Sequence, residues 1–115
     1  MGARENDYPI RPVPFTQVHL TDSFWAKRIE TNRLVTIPFV FRMNVETGRV
    51  DNFAKAGGLK EGKHEGQRYN DTDVFKAIEG ASYSLAAHPD PELDKELEHL
   101  IAVIASAQEE DGYLF

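Results

Sequence analysis

The sequence predicts an all-α fold. Apolar residues recur at helical spacing in several separate segments, and capping residues, prolines and glycines punctuate those segments at their ends. No sustained alternation of polar and apolar residues suggests a sheet; only Gln17-Val18-His19-Leu20 alternates, as a short strand or the end of an extended arm. With 115 residues, the chain has material for one domain at most and a modest core.

Residues 1–17 contain Pro9, Pro12 and Pro14, each of which removes a backbone donor and favours extended geometry before it. This stretch is expected to be an extended arm, with 18–115 forming the helical body. In TDSFWAKRIETNRLV, Asp22 or Ser23 can cap a helix whose Trp25, Ile29 and Asn32 share a face. Phe24 and Trp25 are expected to anchor it to a neighbour. A second helix is expected over Ile37–Glu46, opened by Thr36 with Pro38 in its first turn and closed by Gly48. Its Phe39, Val40, Phe41 and Met43 leave it apolar on most sides, as in a buried helix.

Residues 48–70 carry Gly48, Gly57, Gly58, Gly62 and Gly66 and read as a long loop, with one helical turn at Asn52–Ala56. The third helix is expected over Asp71–Ala87, on the apolar stripe Val74, Ile78, Ala81, Leu85, stopping at His88-Pro89. The fourth opens at Asp90-Pro91-Glu92 and runs to about Ala107, with Leu93, Leu97, Leu100, Ile101 and Ile104 as its apolar face. The short gap between these helices predicts an antiparallel hairpin.

The formal net charge of -6, with Lys and Arg scattered, argues against nucleic acid as a partner. The absence of cysteine excludes disulfides, thiol nucleophiles and cysteine-based zinc sites within the chain. No apolar run is long enough to span a bilayer, and the N-terminus lacks the apolar core of a secretory signal, so a cytoplasmic location is expected.

Two features of the third helix raise functional questions. Asp71 or Thr72 can cap it, with Asp73 near the positive end of its dipole. Alternatively Asn70, Asp71 and Asp73 line a polar cavity and hold substrate hydroxyls beside the glycine-rich loop. The small residues Ala77, Gly80, Ala81 and Ser84 recur at helical spacing, and Gly80 within a helix points to a close approach by another helix or a ligand. His64 is either a solvated loop histidine or a ligand contact, and Tyr113 either stacks on a sugar or packs beneath a helix. The four histidines show no metal-ligand spacing, and Glu109-Glu110-Asp111 reads as a carboxylate cluster or an ordinary turn before Gly112.

In this order and spacing, VHLTDSFWAKRIETNR, TIPFVF, DNFAKAGG, YNDTDVFKAIEGASYSLAAHPDPELD and AQEEDGYLF resemble the N-terminal region of glycoside hydrolase family 127. Characterised members of that family are β-L-arabinofuranosidases. The resemblance covers nearly the whole chain from about Pro12 and is most specific between Asn70 and Tyr113. It implies the first helices of an (α/α)6 barrel, incomplete in this chain, and a carbohydrate substrate containing L-arabinofuranose. It also implies retaining hydrolysis by a zinc-bound cysteine thiolate with a glutamate acid/base, the zinc making the thiolate available at neutral pH. None of those groups matches a position here. No catalytic or metal-ligating residue is therefore expected in this chain, which alone should be inactive. The expected sugar contacts are Asn70, Asp71, Asp73, His64 and Tyr113. The sequence departs from the family pattern at Val40, often a polar residue, and at Ala77, often tryptophan. Two other readings stay open: a self-contained helical module that binds a partner through uncovered faces of the second and third helices, or another α/α-barrel carbohydrate enzyme using carboxylates without zinc.

Overall fold

A computed structural model describes residues 10–114. All regular structure among them is helical: α1 (Trp25–Thr31), a π-helical turn (Asn32–Thr36), α2 (Ile37–Glu46), α3 (Arg49–Ala56), α4 (Asp71–Ala87) and α5 (Pro91–Ser106), after a 3-10 turn at Phe15–Gln17. The expected arm lies partly outside the described residues; of its prolines, Pro9 is undescribed, and Pro14 leads into the 3-10 turn. The stretch from Gln17 to Leu20 forms no strand. No helix among the described residues is long and apolar enough to cross a membrane.

Asp22, rather than Ser23, holds the first helix. Its Oδ1 accepts from the backbone N–H of Phe24 at 2.9 Å and of Trp25 at 2.7 Å. The anchoring expected of Phe24 and Trp25 is not made among the described residues. The rings meet edge to face at 4.9 Å with the Arg28 guanidinium over Phe24, and Trp25 stays 56% exposed.

The first two expected helices are one continuous rod. Thr36 has helical backbone angles and makes no side-chain cap, which corrects its reading as a helix start. The join is explained by Pro38. Proline offers no N–H, and its ring collides with the carbonyl four residues back in a regular α-helix. Here the helix widens just before it, and the Ile37 N–H bonds the Asn32 carbonyl, five residues back.

Gly48 ends α2 in the left-handed region at φ 76°, with Thr47 and Gly48 N–H groups returned to the carbonyls of Met43 and Val45. The reading of α2 as buried throughout is corrected: Ile37, Phe41 and Asn44 are buried, but Phe39 and Val45 face outward. The helix after Gly48 is longer than the single expected turn. Val50, Phe53 and Ala54 share a face that joins the core, and this packing carries it over Arg49–Ala56.

Helix α4 has the expected bounds, but neither Asp71 nor Thr72 caps it. The Thr72 hydroxyl donates to the Tyr69 carbonyl, and the first turn closes through backbone bonds from Thr72 and Asp73 to Tyr69 and Asn70. His88 terminates the helix with its N–H on the Ser84 carbonyl. Asp90 caps α5, accepting from the N–H groups of Glu92 and Leu93 at 3.2 Å each.

The core lies where α2, α3 and α5 converge on α4. Val74 and Ala81 of α4 are fully enclosed, at 0% exposure, among Phe41, Phe53, Leu93, Leu97 and Leu100. Val103 is buried on α5, whereas Ile101, expected on that face, is 42% exposed. Helices α3 and α5 cross tightly at Gly57, where an added Cβ would lie 2.1 Å from Ser106 Oγ and 2.7 Å from its backbone.

The assembly is open. Its radius of gyration is 17.7 Å, against about 13 Å for a compact domain of this length. Phe24, Trp25, Leu34, Val35, Phe39, Val45 and Tyr83 remain largely exposed. Gly80 faces open space on α4, with nothing near an added Cβ. Two glycine substitutions should therefore act in opposite directions on the unfolding free energy of this chain. Gly57→Ala should lower it by about 1–3 kcal/mol through overpacking. Gly80→Ala should raise it by about 0.5–1 kcal/mol through helix propensity. Denaturant titration of the two variants beside the parent chain checks both signs.

Candidate functional site

Helices α2 and α4 diverge around a cleft of about 550 Å³. Its apolar wall includes Ile37, Phe39, Val40 and Met43 from α2 and Ala77 and Gly80 from α4. Its polar edge gathers Asn44, Thr47, Arg49, Asp73 and Lys76.

That edge is held by a hydrogen-bonded chain. Arg49, the first residue of α3, donates from Nε to Asp73 Oδ2 at 2.9 Å. Its guanidinium also donates to the Thr47 hydroxyl, which in turn donates to the Met43 carbonyl. Asn44, the one polar residue buried among those described, directs its amide to the Asp73 carbonyl at 3.5 Å. Asp73 Oδ1 accepts no hydrogen bond among the described residues, and Lys76 Nζ lies 3.9 Å from it.

On the other side of Arg49 is a much smaller recess, about 30 Å³, lined also by Asn52, Phe53, His64, Arg68 and Asp71. The 57–70 loop forms part of it and is tied to α3. Asn52 and Glu65 exchange reciprocal bonds, Nδ2 to the Glu65 carbonyl at 2.8 Å and Glu65 N–H to Oδ1 at 2.9 Å. Lys55 reaches the Glu65 carboxylate at 2.7 Å and the Lys63 carbonyl at 3.1 Å.

The structure thus separates the five expected sugar contacts. Asp73 is on the cleft edge, while His64 and Asp71 share the recess. Asn70 and Tyr113 line neither. The Asn70 amide lies against Gly66. Tyr113 is exposed in a turn after α5, where its N–H bonds Asp111 Oδ1 and its carbonyl accepts from Glu109. That turn also accounts for the Glu109-Glu110-Asp111 cluster. Sequence reading missed Arg49, Asn44 and Lys76. The available signal was an arginine directly after the helix-ending Gly48, where a cation at the start of a helix lies at the unfavourable end of the dipole and needs an acidic partner.

Among the described residues no three His, Asp or Glu side chains gather as a metal site, and the chain has no cysteine. The residues present therefore do not fit a thiolate–zinc centre.

Apolar walls with a few fixed polar groups on one edge are the general make-up of small-molecule sites, and the α2–α4 cleft shares that make-up. Residues 17–115 match the family described as beta-L-arabinofuranosidase, GH127 catalytic domain, and the chain belongs to that family. It is 43% identical over 116 aligned positions to the non-reducing end beta-L-arabinofuranosidase of Bifidobacterium longum subsp. longum, across 84% of this chain and 18% of that enzyme. It also superposes on the solved structure of the GH127 beta-arabinofuranosidase BT3674 with a TM-score of 0.86 and 51% identity, across 94% of this chain and 17% of that one. The chain thus spans under a fifth of the length of either relative.

The Lys55 hydrogen bond, followed by its charge, holds the Glu65 carboxyl below the usual carboxylate range. A depressed carboxyl pKa contributes stability that is present above the unfolded value and lost as pH falls through the folded one. The charged anchor should therefore persist from neutral pH down through the ordinary carboxylate range and be lost only below it. An NMR titration should show the Glu65 carboxyl titrating below a free glutamate, and Lys55→Met should remove that displacement while the Asn52–Glu65 bonds still hold the loop.

Proposed function

We propose that this segment forms the first helices of the catalytic barrel of a retaining β-L-arabinofuranosidase. Its substrate is a glycan bearing terminal L-arabinofuranose. The observation that carries the reading is the match of residues 17–115 to the GH127 catalytic domain, supported by 51% identity to a solved member. In this reading the segment supplies barrel wall and sugar contacts. The thiolate nucleophile, its zinc and the acid/base glutamate belong to sequence outside these residues, since the chain has no cysteine.

Of the five residues assigned to the sugar, Asp73 has the strongest support, because it lies on the edge of the larger cleft with one carboxylate oxygen that accepts no hydrogen bond among the described residues. His64 and Asp71 are assigned to the smaller recess. Asn70 and Tyr113 are assigned to sugar bound by parts of the protein beyond these helices.

A protein carrying these residues together with the remaining length of its relatives should release L-arabinose from an aryl β-L-arabinofuranoside, with retention at the anomeric carbon followed by NMR. The 115-residue chain at equal concentration should release none. No hydrolysis by the longer protein would overturn the activity. Hydrolysis by the short chain would place the chemistry on its own carboxylates.

A further inference from the structure

Asp73 is the one carboxylate among the residues lining the cleft, and its two oxygens differ. Oδ2 is occupied by Arg49 Nε at 2.9 Å, whereas Oδ1 accepts no hydrogen bond among the described residues and has Lys76 Nζ 3.9 Å away. Arg49 is itself fixed, since its guanidinium also donates to the Thr47 hydroxyl and that hydroxyl to the Met43 carbonyl. The Asp73 backbone is held from beneath by buried Asn44. The carboxylate is 45% exposed at the cleft edge, so it is neither buried as a structural ion pair nor free to rotate.

We propose that Arg49 is a positioning residue that locks Asp73 so that Oδ1 faces the α2–α4 cleft as a fixed acceptor for a sugar hydroxyl. This rests on the carbohydrate reading above and goes beyond it in assigning the oxygen, the residue that orients it and the cleft. A sugar suits the cleft: its C–H face can lie on Val40, Met43 and Ala77, while a hydroxyl meets Oδ1. A charged acceptor held in place before binding loses little orientational freedom when the hydroxyl arrives.

The lock makes a prediction that a structural role does not. In Asp73→Asn, Arg49 selects the amide oxygen at the Oδ2 position and turns the amide nitrogen toward the cleft. The acceptor is then replaced by a donor. In the double variant Asp73→Asn/Arg49→Met that selection is gone, and the amide can flip to present its oxygen.

The test uses the complete enzyme, with aryl β-L-arabinofuranoside kinetics and calorimetric titration of L-arabinose. Asp73→Asn should raise KM and the L-arabinose Kd by about tenfold, with kcat within about twofold. The double variant should recover part of the lost affinity, and Arg49→Lys should lose less than Arg49→Met. Asp73→Asn is nearly isosteric and carries the test if Arg49→Met does not fold. Unchanged KM and Kd in a folded Asp73→Asn variant, or a double variant weaker than both singles, would overturn the assignment while leaving the activity reading intact. A wild-type enzyme that neither hydrolyses the glycoside nor binds L-arabinose would overturn both.

Discussion

Close packing around α4 is the constraint on which the rest of the fold depends. Val74 and Ala81 are sealed because α2, α3 and α5 all come down on this one helix. Ala77 and Ala81 are small enough to let neighbours approach, and the bulk of the core comes from those neighbours, in Phe41, Phe53 and the leucines of α5. Small residues on the central element and large ones around it make an interdigitating core without long side chains competing for the same space. The Phe15–Gln17 turn joins the same helix through an edge-to-face contact of Phe15 with Tyr83 at 5.3 Å. Beside the sealed face, on the cleft wall next to Ala77, Gly80 lies open, so α4 is only partly covered.

The cleft follows from this asymmetry. Where α2 and α4 part, their apolar sides stay uncovered, and the start of α3 closes one end with charge. Arg49 stands between two concavities, with Asp73 and the apolar cleft on one side and His64, Arg68 and Asp71 on the other. An arginine at the beginning of a helix is disfavoured by the dipole, whereas Asp73 at the beginning of α4 is favoured by it. Pairing them places a cation in an otherwise unfavourable position and leaves half of the carboxylate unspent.

What the sequence revealed and what it hid divide by range of interaction. The bounds of α4 and the start of α5 were legible because their signals are local: His88-Pro89 stops one and Asp90-Pro91 opens the other. The all-helical class was legible for the same reason. Helix α3 was underestimated because Val50, Phe53 and Ala54 sit between glycines and charges, and only their burial against α4 and α5 marks them as helical. Pro38 resembled a beginning because its missing donor is tolerated there; that the chain instead widens and continues depends on backbone geometry with no residue-type signature. Ile101 and Val103 exchanged roles because the inner face of α5 is set by what packs on it. In the cleft, Asp73 was conspicuous from its place in the sequence. Its partner Arg49 lies 24 residues away, and only the fold brings them together.

The widened turn at Asn32–Thr36 has a consequence for how the rod presents itself. A bond spanning five residues instead of four takes up one extra residue without lengthening the helix in proportion. Everything on its N-terminal side is thereby rotated by roughly 100° relative to an uninterrupted α-helix. One rod then carries two greasy stripes pointing along different compass bearings. Ile37 and Phe41 turn inward to α4, while the Phe24–Trp25 knuckle is swung elsewhere, so a single helix can serve two separate surfaces.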